Sequence, residues 1–208
     1  MKIFVDFDNT IFDTRHKFLD GFFEVFYKYG VGREVFDKTL PYFSKTALQA
    51  GECYCPKRHI EEIIKKNDLR IDKKVFLREM SEFLEDLEDY VFEDFYEFVN
   101  YFDKKDLVIL SYGEYNFQKQ KIDGSGINKY FRDVIITDGD KTQEIEKYMQ
   151  NFPNEDAVII DDKRGYFESV KQSKVNIGTI HIVREGNECD NNKFCDTHKN
   201  KLDKIKIS

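Results

Sequence analysis

Five short apolar runs, at residues 2–6, 107–111, 133–136, 157–161 and 178–183, alternate with helical periodicity near 115–123, 141–150 and 164–174. No other feature limits the fold of this chain as much. Strands separated by helices read as βαβ units, which predicts a parallel sheet with helices on both faces. The carboxyl ends of parallel strands share one edge, and open α/β sheets bind their ligands there. Four runs lead into chemically useful residues on that edge: Asp6-Phe7-Asp8-Asn9-Thr10, Ser111-Tyr112-Gly113, Lys141, and Asp161-Asp162. Residues 185–201 read as a polar excursion, and 204–207 as a last strand.

Asp6 and Asp8 follow the strand at i and i+2, so its alternation sends both to the same face. Two adjacent carboxylates repel unless their jobs differ. A divalent cation can hold one oxygen of Asp6 while the other attacks phosphorus, and Asp8, with a raised pKa, can carry a proton. Ser111 combines a hydroxyl with the flexible backbone of Tyr112-Gly113, a pairing suited to a phosphate oxygen. Lys141 can neutralise phosphate charge. An ordinary strand-to-turn junction would also explain Asp and Asn at 6–9.

The four motifs in this order resemble the haloacid dehalogenase (HAD) superfamily, whose signature is an Asp-x-Asp-x-Thr loop, a Ser or Thr after a strand, a Lys, and an acidic pair. The resemblance implies a Rossmann-like HAD core with a helical cap. It also implies an Mg²⁺-dependent phosphatase that forms a covalent aspartyl-phosphate on a small phosphorylated metabolite or nucleotide. Asp6 would be the nucleophile and Asp8 the general acid/base, with Thr10, Ser111, Tyr112 and Lys141 around the phosphate. Asp6, the Asp8 carbonyl and Asp162 would bind the metal, with Asp161 supporting.

Three positions depart from the common pattern. Asn9 stands where Gly is frequent, and Asn tolerates left-handed backbone. Thr142 follows the lysine in place of Pro. Lys163-Arg164-Gly165 follows the acidic pair without a further Asp, which leaves Asp161 as the supporting carboxylate. Asp8 favours phosphatase over dehalogenase chemistry, because hydrolysis of an aspartyl-phosphate needs a group to protonate the leaving oxygen and activate water. A phosphonatase would want a Schiff-base lysine, for which Lys57, Lys65, Lys66, Lys73 and Lys74 qualify by type only. The pattern is also compatible with a phosphomutase or a non-catalytic phosphate-binding module.

Residues 14–100 separate the first two motifs and carry helical stripes: Phe18, Phe22, Phe26, Tyr29; Ile60, Ile63, Ile64; Phe76, Met80, Phe83, Leu84, Leu87; and Phe92, Phe95, Val99, Phe102. The expected division is therefore a discontinuous core, 1–13 with 101–208, and a cap at 14–100 whose closure would expel water. Residues 49–59 break the periodicity, so Tyr54, Arg58 and His59 are candidates for contact with the leaving group. A plain surface connection would look the same.

Residues 57–78 hold eight basic and four acidic side chains, whereas 82–102 hold eight acids and no base. Such runs read first as solvated helix faces, and second as attraction for an anionic substrate. A net charge of −7 disfavours broad nucleic-acid binding. No apolar stretch reaches the roughly 18 residues of a membrane span. A cleavable leader would remove Asp6, so a cytoplasmic location is expected. Cys53-x-Cys55, Cys189 and Cys195-x-x-His198 lack zinc-site spacing and read as reduced thiols. Oligomeric state is not legible.

Overall fold

The structure is a computed structural model that describes residues 1–40, 53–67, 69–184 and 194–206. Its central strands are apolar on both sides, as strands buried between two helical layers must be. They are β1 (Lys2–Val5), β2 (Leu107–Tyr112), β3 (Asp133–Thr137), β4 (Ala157–Asp161) and β5 (Ile177–Ile182), with a short β6 (Thr197–Lys199). Among the described residues they form one sheet in the order β3-β2-β1-β4-β5-β6, with every pair parallel. This is an α/β, Rossmann-like fold.

Side-chain alternation divides the core. Ile3, Val5, Leu107, Ile109, Val158 and Ile160 face one layer, while Phe4, Val108, Leu110 and Ile159 face the other. The second layer is built from α7 (Lys141–Met149) and α8 (Phe167–Gln172), through Ile145, Met149, Phe167 and Val170. The first layer continues into the helices between β1 and β2. These are α1 (Leu19–Tyr27), α2 (33–40), α3 (Pro56–Asn67), α4 (Lys73–Phe83) and α5 (Asp94–Val99). Their Phe22, Phe26, Phe36, Ile60 and Phe76 belong to the same apolar cluster as the sheet.

α6 (Tyr115–Gly124) joins that insert to the sheet. Its last residue, Gly124, lies so close to the α4 terminus that an added Cβ would stand 1.8 Å from the Leu84 carbonyl oxygen. Glycine is the residue that permits this approach. Leu87 N–H then donates to the Gly124 carbonyl at 2.9 Å, which fixes the insert against α6. No helix of the described residues is long and apolar enough to cross a membrane.

The last strand differs from the sequence expectation. β6 lies within the stretch read as a polar excursion, and Leu202–Lys204 is a 3-10 turn. Residue 207 is outside the described part. The reason is that an edge strand needs no apolar run. Thr179 instead holds the incoming chain, its N–H donating to Asp196 Oδ2 at 2.8 Å and its hydroxyl to the Phe194 carbonyl at 2.7 Å. The apolar Leu202 and Ile205 are buried anchors in the first layer.

Candidate active site

Sheet register brings the first acidic groups together. Val5 is level with Ile109 on one side and Ile160 on the other, so Asp6 and Asp161 leave neighbouring strands side by side. The chain then closes a tight loop in which the Phe7 carbonyl accepts from the N–H groups of Ile11 and Phe12, both at 3.0 Å. Asn9 sits at φ 57°, the left-handed conformation that Asn accommodates where Gly is common. Thr10 is fully buried, and its hydroxyl donates to Asp6 Oδ2 at 3.3 Å.

Around Asp6, two carboxylates and a phenol share one ammonium. Lys141 Nζ donates to Asp6 Oδ1 at 2.6 Å, to Asp161 Oδ2 at 2.7 Å and to the Tyr166 hydroxyl at 3.1 Å. Asp140 caps α7 by accepting from Thr142 N–H at 2.8 Å, which seats Lys141 at the first helical position. Burial and the neighbouring Asp161 push the Asp6 carboxyl up to about 8, against the pull of Lys141. Burial and Asp161 likewise push Asp162 up to about 6. Burial opposes the Lys141 charge, but Asp161 and Asp6 outweigh it and hold its pKa above the ordinary value.

This cluster fits a hard divalent cation. Asp6, Asp161 and Asp162 each offer a carboxylate oxygen within 4.8 Å of the others, an all-oxygen set of the kind Mg²⁺ takes. Both Asp161 oxygens are engaged, Oδ2 by Lys141 and Oδ1 by the Lys163 N–H at 2.7 Å. Asp162 Oδ1, by contrast, is buried with no hydrogen-bond partner. A buried acceptor left unsatisfied is costly, and a bound cation removes that cost. His181 backs the pair from the neighbouring strand β5, its Nε2 3.0 Å from the Asp162 carbonyl oxygen.

Asp8 points into a different set of partners, supplied by α6 and the start of the insert. Its Oδ1 accepts from the Thr14 hydroxyl and from Lys121 Nζ in very short contacts, and its Oδ2 accepts from Gln118 Nε2 at 2.5 Å. Lys121 is buried among the rings of Phe7, Phe12, Phe18 and Phe117, 5.0–5.4 Å from each centroid. Burial would raise the Asp8 pKa, but the Lys121 charge and the hydrogen bonds from Lys121, Thr14 and Gln118 bring it below the usual carboxylate value. Gln118 Nε2 also reaches Ser111 Oγ at 2.8 Å and the Tyr112 carbonyl at 3.1 Å. A short polar chain thus joins Asp8 to Ser111.

A cavity of about 340 Å³ opens beside Asp8. Phe18, Phe22, Tyr54 and Phe117 form its apolar wall, Tyr112 and Cys53 line it further, and Lys121 and Lys163 supply cations. Tyr54 is therefore in the wall, whereas Arg58 and His59 are not. Arg58 donates to the Cys53 carbonyl at 2.8 Å. His59 is fully buried with Tyr54 OH 2.9 Å from Nδ1 and Thr39 Oγ1 2.9 Å from Nε2, and burial lowers its pKa to about 4. Its place is behind the cavity wall, where it steadies Tyr54. Residues 49–52 of the predicted loop and Cys189 lie outside the described residues.

Sequence reading did not single out Thr14, Gln118, Lys121 or Lys163. The available signal was the spacing Gly113-x₄-Gln118-x₂-Lys121, which places two long polar side chains at i and i+3 on one face of the helix that follows a phosphate-type turn.

A family model for haloacid dehalogenase-like hydrolases matches residues 3–170. No curated protein matches the sequence. Several solved structures share the fold. A haloacid dehalogenase-like protein of Burkholderia xenovorans LB400 has 18% identity and a TM-score of 0.72, over 97% of this chain and 92% of that one. Magnesium-bound YfnB of Bacillus subtilis has 14% identity and a TM-score of 0.66, over 97% and 94%. CbbY of Rhodobacter sphaeroides in complex with phosphate has 12% identity and a TM-score of 0.61, over 98% and 95%.

Proposed function

The chain belongs to the haloacid dehalogenase-like hydrolases, and on that footing we propose that it is a magnesium-dependent phosphomonoesterase acting through an aspartyl-phosphate at Asp6. The observation that carries this reading is the placement of Asp8 beside Asp6 and its link through Gln118 to Ser111. A hydrolase that had only to displace halide would need the first carboxylate but no partner of this kind.

In the proposed reaction, one Asp6 oxygen forms a bond to phosphorus as the bond from phosphorus to the ester oxygen breaks. Asp8, protonated for this half of the cycle, gives its proton to the departing oxygen. Water then attacks the aspartyl-phosphate while the Asp8 carboxylate takes its proton, which releases inorganic phosphate and restores Asp6. The three hydrogen bonds that Asp8 accepts suit this second, carboxylate form. Lys141 and the Ser111 hydroxyl would hold phosphate oxygens, where preorganised donors stabilise the developing charge, while the buried Thr10 hydroxyl, which donates to Asp6 Oδ2, would orient the nucleophile. Mg²⁺, held by Asp6, the Asp8 carbonyl and Asp162 with Asp161 behind them, would add positive charge where the phosphoryl group is transferred. The helices within residues 14–100 would serve as the cap, with the wall around Tyr54 meeting the leaving group and excluding water.

The test is phosphate release from nucleotides, sugar phosphates, small acid phosphates and an aryl phosphate, with and without Mg²⁺. Metal-dependent release from at least one of them is expected. Metal-independent halide release from haloacids, or phosphorylated-ligand binding without turnover, would overturn the proposal. Transfer to a substrate hydroxyl without free phosphate would assign a mutase instead.

A further inference from the structure

We propose that Gln118, on α6, is a positioning residue that orients the Ser111 hydroxyl toward phosphate and couples it to Asp8. The inference rests on the phosphomonoesterase reading and assigns a role to a residue outside the four motifs. Gln118 is buried, and its amide nitrogen stands within hydrogen-bond distance of three oxygens: Asp8 Oδ2 at 2.5 Å, Ser111 Oγ at 2.8 Å and the Tyr112 carbonyl at 3.1 Å. A carboxylate and a carbonyl only accept, so the nitrogen and not the oxygen of the amide must face them.

Donor counting gives the consequence. A hydroxyl has one hydrogen to donate. Because Gln118 donates to Ser111 Oγ, the serine hydrogen is left to point at a phosphate oxygen. The amide nitrogen carries two hydrogens for three acceptors, so it cannot serve all three at once. Asp8 Oδ1 is already committed to Thr14 and Lys121, so Asp8 meets Gln118 through Oδ2 alone.

The backbone is built around this side chain. A Cβ on Gly113 would stand 2.5 Å from Gln118 Cγ and 2.9 Å from its Cδ. Only glycine at 113 leaves Gln118 its seat. Glu114 caps α6 through the Asn116 and Phe117 N–H groups, at 3.2 and 2.8 Å, and so fixes the turn that carries it.

The experiment compares Gln118→Met, Ser111→Ala and the double variant in the full chain, using p-nitrophenyl phosphate with Mg²⁺ and the thermal shift given by inorganic phosphate with Mg²⁺. Met keeps the bulk but removes both donors. Gln118→Met is expected to lower kcat about 10- to 100-fold and to lose most of the phosphate shift. The double variant should be no worse than the weaker single one, since the two groups act as a unit. Gly113→Ala, which displaces the same side chain, should reproduce both losses and serves if Gln118→Met fails to fold. Retention of turnover and phosphate shift in either variant, or full additivity in the double one, overturns the proposal. If the unsubstituted protein binds phosphate without turnover, the phosphomonoesterase reading fails and the shift alone decides the role of Gln118. If it does neither, both fall.

Discussion

Asp6 and Asp8 are two residues apart, yet they stand in opposite electrostatic surroundings. On the Asp6 side, Lys141 bonds Asp6 and Asp161, Lys163 adds a second positive charge nearby, and one oxygen of the third carboxylate, Asp162, has no partner. On the Asp8 side, one carboxylate meets one buried ammonium and two neutral donors. The first set has three carboxylates for two cations, and the second has one for one. Without a metal the two acids are pushed in the reverse of the sense their proposed roles need, Asp6 up and Asp8 down, where the sequence reading expected Asp8 to be raised; a cation beside Asp6 would favour its ionised form. The difference also indicates where a cation belongs, because the Asp6 side holds the three-carboxylate cluster and its unpartnered Asp162 oxygen.

The largest effect is expected from removing each acid. Asp6→Asn and Asp8→Asn are each expected to lower Mg²⁺-dependent phosphatase turnover by about 10⁴-fold or more while the protein stays folded by circular dichroism. Undiminished turnover in Asp6→Asn would end the covalent scheme.

A smaller effect tests the balanced side. Lys121→Met should destabilise the fold by about 3 kcal/mol in chemical denaturation, because it leaves the largely buried Asp8 carboxylate without its cation. Lys121→Met combined with Asp8→Asn should recover most of that loss. Equal destabilisation in the single and double variants would mean that Lys121 acts by packing alone.

The smallest effect concerns pH and metal. Asp6 in the folded chain holds its proton up to about 8, whereas an unfolded aspartate releases it near 3.8. The folded state therefore binds more protons between these values, and without metal its stability should fall as pH rises from about 4 to about 8. Mg²⁺ at a hundredfold excess over its Kd should return about 2.7 kcal/mol near pH 8, read as a rise in Tm of about 5–10 °C. The gain should shrink at pH 5, where protons compete for the same oxygens. Asp6→Asn should flatten the metal-free slope, and a slope of the opposite sign would show that Asp6 is already ionised.

The sequence by itself determined the strands and the contents of their carboxyl ends. Apolar runs at 2–5, 107–110 and 157–160 can only be buried, and parallel pairing then collects Asp6, Ser111 and Asp161 at one edge without further information. Asn9 was legible for the same kind of reason, since its left-handed backbone is a local property. Tertiary structure decided the rest. Gln118 and Lys121 look like solvent-facing residues of an amphipathic helix, and they become buried only because Asp8, 110 and 113 residues away, provides an acceptor. His59 turned inward and β6 formed in a polar stretch for similar reasons. Periodicity records which side chains avoid water, but whether a polar group can leave water depends on a partner that only the folded chain brings within reach.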